Sequence, residues 1–596
     1  MKLGEKIWLA VLLALVVIAY LPSINGEFIN DEYLLILNNP KIQQTESLKK
    51  FFTEHFWGGK ARGIYYRPLV NLSYVLNWKI SKENPLSYHL FNLLFHLFNI
   101  FLFYNLMKKL FPDLAIGASF IFALHPALNE GVAWIPGRPE LLASFFVLTG
   151  WILWLSTEEK NKNLKKIVYL GVGLSFLLAL FSKENGIILV LLVLVYDFWK
   201  GGKKGFKDEL NKHFYGYIFM GLSLGIYLFL RQSALKGEAP LPAELFLAQY
   251  PIWQKPFVIA RLFLEYLGIE LFPHPLYPDY HYTHKFSAQN YPFIFFLGYG
   301  IFWVIALTVI AIGLRKRNNL SLLAIFWLLA LLPFSHIFSY PTALALRFLY
   351  LPTMFFALFL FGLIQALKKF YPLSGRIILG AMILFLSLLS FSQSQIYRSR
   401  IGYFNQAVQL APMEKVLHNQ RGLALMAKAQ LFSAEKEFIW ALTLDPNYPE
   451  AMNNLARLSL RQGDISSALL LLEKALAISE DYADAHFNLG LVYRTIGKLD
   501  RARAELKKSA ELDPENPLPR YQLGRIALEQ GEIDEAKQEL ELLLEIAGWH
   551  LGGLKLRAEI AIAEQDWRTA KTLLDKARRI APQDAELKEL TKALPD

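Results

Sequence analysis

The chain contains no cysteine, which excludes a disulfide framework, a thiolate metal ligand and a cysteine nucleophile. It is also poor in charge: 19% of its 596 residues are Asp, Glu, Lys or Arg, against 54% hydrophobic. The net charge of +11 is modest for this size, and no arginine-rich stripe interleaved with aromatics runs through the sequence, so no nucleic-acid partner is expected. No small-residue cleavage site follows the first apolar run, about Ile7 to Leu21 behind Lys2 and Lys6; the sequence continues Pro22-Ser23-Ile24-Asn25-Gly26. That run is expected as a retained first span with its N-terminus inside, not as a signal peptide. The long apolar segments show no two-fold internal repetition, which argues against a transporter of the inverted-repeat kind.

What the chain does have is apolar length. Its mean hydropathy of +0.29 is too high for a soluble protein of this size, and the excess is uneven. Two unlike domains are expected, a polytopic membrane domain at 1–398 and a domain of charged amphipathic helices at 399–596. After the first span, candidates lie near 86 to 107, 114 to 129, 139 to 156, 167 to 182, 185 to 199, 213 to 231, 291 to 314, 320 to 337, 345 to 368 and 376 to 395, about eleven in all. Several are shorter than the roughly 20 residues a full crossing needs, so tilted and re-entrant ends are expected. Lys108-Lys109, Lys160 to Lys166, Lys200 to Lys212, Arg315-Lys316-Arg317 and Lys368-Lys369 then all fall on the N-terminal side, as the positive-inside rule requires. Eleven spans leave the C-terminal domain outside. The segment 252 to 272, which contains Lys255, Arg261, Glu265 and Glu270, reads as an interfacial or re-entrant helix.

Ionisable groups collect on the outer side of this topology. The stretch His125-Pro126-Ala127-Leu128-Asn129-Glu130-Gly131-Val132-Ala133-Trp134-Ile135-Pro136-Gly137-Arg138-Pro139-Glu140 sets His125, Glu130, Arg138 and Glu140 between two apolar runs. An ionised side chain at mid-bilayer costs about 3 kcal/mol on insertion scales, so such groups are expected to face water, a partner or a substrate. The prolines and glycines of this stretch interrupt the helix, which is tolerated at membrane depth only where the backbone lines a cavity or is buried in protein. Asn30-Asp31-Glu32, Tyr65-Tyr66-Arg67-Pro68, Ser182-Lys183-Glu184-Asn185-Gly186 and the segment 335 to 352, with His336, Arg347 and Tyr350, share that side. One loop charge needs no explanation. Five clusters on one face suggest the rim of a site.

From about residue 417 the pattern becomes strictly periodic. Ala434, Ala468, Ala502, Ala536 and Ala570 stand 34 apart, Gly463, Gly497 and Gly531 keep the same step, and Gly422, Ala456, Gly490, Gly524 and Ala558 form a third register. Pro446, Pro514 and Pro582 close three of the units. This is the tetratricopeptide period, with small residues where two helices of a unit touch. Five units are expected to stack into a solenoid whose groove takes an extended peptide or partner, capped by a last helix near 583 to 594. The fold class is therefore all-α, a polytopic helical membrane domain followed by an α-solenoid.

Taken together, the stretch from His125 to Glu140, Tyr66-Arg67-Pro68-Leu69, Ser182-Lys183-Glu184-Asn185-Gly186, Arg347-Phe348-Leu349-Tyr350-Leu351-Pro352 and the repeats resemble the transmembrane and tetratricopeptide-repeat O-mannosyltransferases, members of the membrane-embedded GT-C glycosyltransferase superfamily. The resemblance spans nearly the whole chain. It implies a GT-C-type membrane domain that uses a polyprenyl-phosphate-linked sugar and glycosylates Ser or Thr hydroxyls of protein acceptors. The family's acidic pair in the first outer loop matches Asp31, with Glu32 as the second acid. The implied location is a prokaryotic inner membrane with the repeats outside, or an endoplasmic reticulum membrane with the repeats lumenal.

Transfer from a lipid-phosphate sugar to a hydroxyl needs a base for the acceptor proton and cations for the leaving phosphate. A single displacement inverts the anomeric carbon. Asp31 and Glu32 are the catalytic candidates, Asp31 as base. Arg67, Arg138, Lys183 and Arg347 are the candidates for the donor phosphate, since a guanidinium offers two parallel hydrogen bonds to phosphate oxygens. Glu130, Glu140 and Glu184 are expected to hold these cations, with His125 and Tyr350 in support. No resident metal is expected; if a divalent ion were bound, His274, His281, His284 and His336 are its candidate ligands. Two rival readings are a non-catalytic membrane anchor presenting a scaffold of repeats, and a transferase acting on glycan or lipid acceptors.

Overall fold

An unpaired backbone amide in hydrocarbon costs several kcal/mol, so long apolar runs fold as helices that satisfy their own hydrogen bonds. The computed structural model describes residues 3–43, 48–57, 65–159, 161–235, 247, 250–278, 293–335, 344–368, 372–547, 551–581, 583–592 and 594, and among these no strand occurs. The chain divides into two units, Met1–Leu410 and Ala411–Asp596.

Among the described residues of the first unit, eight helices are long and apolar enough to cross a membrane. They are α1 (Leu3–Ile24), α3 (Leu86–Leu110), α5 (Arg138–Ser156), α6 (Lys162–Ser182), α7 (Ile188–Lys212), α8 (Phe214–Leu235), α10 (Phe293–Lys316) and α13 (Pro372–Ile396). Between them lie α2 (Pro68–Ser81), α4 (Ala115–Ala123), α9 (Lys255–Leu271), α11 (Asn319–Leu331) and α12 (Pro352–Lys368), and α14 (Arg400–Leu410) ends the unit. The segment 114 to 129, expected as a span, is not one continuous helix. α4 has nine residues, about 14 Å of rise, and gives way to short turns at Pro126–Leu128, Asn129–Val132 and Ile135–Gly137. Gly137 shows why this break is compact. A Cβ there would stand 2.5 Å from the carbonyl oxygens of Glu130 and Gly131, so only glycine lets the backbone fold back on itself. The turns are almost wholly buried, which meets the condition for irregular backbone at membrane depth.

α9 is not among the long apolar helices, and its far end is enclosed. Glu270 accepts hydrogen bonds from Trp327 Nε1 at 2.6 Å and Thr353 Oγ1 at 2.9 Å, which ties α9 to α11 and α12. The unit boundary falls at 410/411, twelve residues beyond the 398/399 boundary read from the sequence. α14 stays with the membrane unit because Tyr403 donates to the Pro278 carbonyl at 3.2 Å and the Arg400 guanidinium lies over the Tyr33 ring.

The second unit is five helix pairs: α15 (Lys415–Ala427) with α16 (Leu431–Leu444), α17 (Pro449–Gln462) with α18 (Ile465–Ile478), α19 (Ala483–Thr495) with α20 (Leu499–Leu512), α21 (Pro517–Glu529) with α22 (Ile533–Ala547), and α23 (Leu551–Ala563) with α24 (Trp567–Ile580). The cap is α25 (Ala585–Lys592). The small-residue registers are contact points: the five alanines from Ala434 to Ala570 are fully buried, and a Cβ at Gly490 would stand 2.7 Å from Leu506 Cγ. The step of 34 is legible in side chains too. His418 bonds Glu437 at 2.8 Å, His486 bonds Glu505 at 2.6 Å and Arg520 pairs with Glu539 at 3.1 Å. Where one partner of this pair is apolar so is the other, as at Met452 with Leu471 and Leu554 with Leu573.

The turn inside each repeat needs a left-handed residue. Gly463, Gly497 and Gly531 supply it at φ of 82°, 73° and 78°, but the same register in the first and fifth repeats holds Ala429 at 58° and Gln565 at 62°. A side chain in that region costs about 1–2 kcal/mol, partly offset by the extra freedom glycine gives the unfolded chain. Ala429→Gly and Gln565→Gly are therefore each expected to stabilise the repeats, by about 0.5–1 kcal/mol. Denaturant unfolding of the full chain checks this, and a loss of stability would show that the turn is not strained.

Candidate active site

Pro68 suits the first turn of a helix because its φ is already helical, and this leaves Arg67 as the residue capping α2. The Arg67 guanidinium donates through Nε and Nη2 to Glu184 Oε2, at 3.3 and 2.9 Å, and lies 4.4 Å from the centroid of the Tyr65 ring. Glu184 opens a short turn, Glu184–Ile187, between α6 and α7. The preceding Lys183 is enclosed, ion-paired with Glu140 at the start of α5, and rests over the stacked rings of Phe334 and Phe348. Asn185 donates to the other Glu140 oxygen at 2.8 Å. Arg347 pairs with Glu130, and its backbone N–H donates to the second Glu130 oxygen at 3.0 Å. That double contact pins the turn Leu346–Leu349 onto Asn129–Val132.

Arg67 and Arg347 both lie within electrostatic reach of Lys183. Three cations from separate loops thus share one neighbourhood, each with its own carboxylate. The Lys183–Glu140 pair is the buried one, and removing its carboxylate is expected to cost about 3–5 kcal/mol.

The acidic pair sits beside this group. Asp31, Glu32 and Arg67 all lie within electrostatic range of Tyr74. Glu32 is fully enclosed; its Oε2 accepts the N–H groups of Ile29 and Asn30 at 3.2 and 2.8 Å. Asp31 is half-buried, and its Oδ1 lies 3.4 Å from Asn30 Nδ2. Burial pushes the Glu32 carboxyl up to about 7, against the pull of the Asn30 amide and with a further push from Asp31. An acid whose folded pKa lies above its unfolded value contributes stability that is complete below about 4.5 and is lost as pH rises to about 7. Glu32→Gln, which keeps an oxygen for the loop amides, is expected to match the parent at pH values near 4.5 and to exceed it in thermal stability at about pH 8. An equal gap at both pH values would contradict an enclosed, neutral Glu32.

Arg138 requires a correction. Expected as a phosphate clamp, it is instead fully enclosed. Its Nε donates to Asn92 Oδ1 at 2.9 Å, its Nη1 to Ser73 Oγ at 3.1 Å and Asn77 Oδ1 at 2.6 Å, and its Nη2 to the Tyr88 carbonyl at 2.9 Å. Tyr74 and Phe91 cover it at 4.5 and 4.8 Å. Four of its five N–H groups are spent on neutral protein acceptors, so no fork remains for a phosphate. His125 and Tyr350 are likewise internal. His125 Nε2 meets the Glu270 carbonyl at 2.9 Å while Nδ1 accepts from Ala127 N, and the Tyr350 hydroxyl meets His96 Nδ1 at 2.7 Å and Asn99 Nδ2 at 3.1 Å. His125 thereby ties the broken stretch to α9, and Tyr350 ties the segment after Leu349 to α3.

Of the histidines weighed as metal ligands, His274 is exposed, and His281, His284 and His336 lie outside the described residues. Among the described residues one group has metal-like spacing, Glu158, Glu209 and His213. Lys200 and Lys212 are ion-paired to Glu158 there, which supplies its positive charge without a metal.

Two features were missed in the sequence. His89, Asn92, His96 and Asn99 are all buried and line one face of α3; their spacing of 3, 4 and 3 is a helical polar stripe inside an apolar span, and it was there to be found. Arg400, whose guanidinium lies 5.1 Å from the centroid of Tyr33 beside the acidic pair, had no such signal because it follows the last span.

Models of the tetratricopeptide repeat match residues 459–497 and 496–548. Among solved structures, a thermophilic tetratricopeptide-repeat protein of Thermus thermophilus is 25% identical, covering 30% of this chain and 98% of that one with a TM-score of 0.28. A protein O-mannosyl-transferase of Caenorhabditis elegans, F38B6.6, is 26% identical over 470 residues, 74% of this chain and 63% of that protein. Human protein O-mannosyl-transferase TMTC3 is 25% identical over 495 residues, 75% of this chain and 52% of that protein. The chain thus spans between half and two thirds of the length of these relatives. A multi-pass membrane unit with paired charges, followed by tetratricopeptide repeats, is here joined in one chain that is similar along three quarters of its length to the transmembrane and tetratricopeptide-repeat protein O-mannosyltransferases.

Proposed function

We propose that this chain transfers a mannose-like sugar from a polyprenyl-phosphate donor to Ser or Thr hydroxyls of protein acceptors, with inversion. The observation that carries the reading is the gathering of Arg67, Lys183 and Arg347, each beside a carboxylate, with Arg67 and the Asp31–Glu32 pair within electrostatic range of the same tyrosine, Tyr74. In this reading Asp31 orients the acceptor hydroxyl and takes its proton. Arg67 and Arg347 bind the leaving phosphate through guanidinium N–H groups, and Lys183 adds a point charge. Glu184, Glu130 and Glu140 hold the three cations where the developing negative charge appears, so little reorganisation is needed during transfer. The names of the relatives support a protein acceptor, and the repeats suit binding of that acceptor or of a partner. Intact-mass comparison of proteins from cells with and without this gene tests the acceptor class: loss of hexose increments on Ser or Thr is expected. Loss confined to glycans or lipids would assign a different acceptor, and no loss anywhere would favour a scaffold.

In the same reading the repeats and the site loops lie on the outer side, opposite Lys160 to Lys166, an orientation that the distribution of loop charges supports. Externally added protease is then expected to cut 411–596 and spare the Lys160 to Lys166 loop in sealed cells or spheroplasts; equal protection of both would overturn the orientation.

A further inference from the structure

The fifth repeat carries a cationic pocket whose key positions differ from those of the three repeats before it. A cavity of about 260 Å³ is lined by Arg557 of α23 and by Arg568, Thr569, Thr572, Leu573 and Lys576 of α24. No carboxylate lines it, and among the described residues no ion pair joins one to Arg557 or Arg568.

The repeats serve as their own controls. In the register of Arg557 the three preceding repeats hold Leu523, Leu489 and Leu455, whereas the first holds Arg421, ion-paired there with Glu437, whose counterpart in the fifth repeat is Leu573; in the register of Arg568 the three preceding repeats hold Asp534, Asp500 and Ser466. The solenoid fold therefore needs neither arginine. Arg568 is also in the first turn of α24, where the helix dipole favours an acid and a cation costs about 0.3–1 kcal/mol. Asp500 and Asp534 in the equivalent turns obey that preference. A leucine at 557 would have no following repeat to cover it, which accounts for a polar residue there. It does not account for two exposed arginines from different helices sharing one concave surface with the exposed Lys576, which concentrates positive potential there even with Asp566 near Arg568.

We propose that this pocket binds a phosphate group. Two guanidiniums from different helices present planar forks to the oxygens of an oxyanion, and Lys576 adds charge from the next turn but one. The Thr572 hydroxyl donates to the Arg568 carbonyl at 2.9 Å, which leaves its oxygen lone pairs for a hydroxyl on the ligand. The cavity has room for a phosphate with a small polar substituent, carried either by a soluble sugar phosphate or by a lipid headgroup. The site is independent of the transferase reading, since the residues concerned are outside the membrane unit.

The test is binding to the full-length protein in detergent, by calorimetry, of three probes: inorganic phosphate, a hexose 1-phosphate, and lysophosphatidic acid in the same micelles. The double variant Arg557→Gln, Arg568→Asp removes the charge at 557 and sets at 568 the acid found in the third and fourth repeats, and thermal unfolding verifies its fold. Saturable binding is expected for the parent and about tenfold or more weaker binding for the double variant, with Arg578→Gln unchanged. Saturation by the first two probes alone assigns a soluble source, and by lysophosphatidic acid alone a lipid source. Absence of saturable binding by all three, or equal binding by the double variant, would overturn the proposal.

Discussion

Turnover of an Asp31→Asn variant is expected to fall by about 100-fold or more while donor binding changes little, because the substitution keeps size and polarity and removes the proton acceptor. The geometry decides which acid to test. Glu32 spends one oxygen on the amides of its own loop and is enclosed, whereas Asp31 is half-buried and, like Arg67, within electrostatic range of Tyr74. Initial rates and donor affinity of the purified variant separate a lost base from a lost binding contact. Near-normal turnover would move the base to Glu32 or elsewhere.

The second large effect is on stability. Arg138→Lys keeps the charge of a fully enclosed side chain but has at most three donors for four acceptors fixed by Asn92, Ser73, Asn77 and Tyr88. A hydrogen bond to a charged group contributes about 1.5–3 kcal/mol, and the lysine's point-like head cannot match the fork. A loss of about 3 kcal/mol or more is expected, seen as a lowered thermal midpoint, with KM for the donor unchanged in the folded fraction. A phosphate clamp would behave in the opposite way, with unchanged stability and a raised KM. The pair of readouts therefore discriminates between the two roles of one residue.

The placement of Arg138 also marks the limit of what the sequence carries. Its place in a break between two apolar runs was legible, but its depth was not. The three side chains that enclose it lie 46 to 65 residues earlier, on helices whose rotation no hydropathy pattern sets. The same limit applies at 114 to 129, where an apolar run of span-like composition proved to be nine helical residues and a set of buried turns. The partners of Lys183 and Arg67 were anticipated as a class, carboxylates holding cations, because a buried charge without one is too costly. Which glutamate serves which cation needed the fold. The repeats, by contrast, were readable almost to the residue, since each unit repeats the same packing problem and solves it with the same small residues at the same step. Even there, Ala429 and Gln565 in glycine's register could be seen as departures but not as strained backbone until φ was known.

The most direct test of the central claim is transfer by the purified full-length protein, reconstituted in liposomes with a radiolabelled polyprenyl-phosphate mannose and a Ser/Thr-rich peptide. Label is expected to move to the peptide through a linkage inverted relative to the donor, and to remain on the lipid with the Asp31→Asn protein. Wild-type protein that is folded and binds the donor yet leaves the label on the lipid with every hydroxyl acceptor supplied, or transfer that survives Asp31→Asn undiminished, would contradict the account.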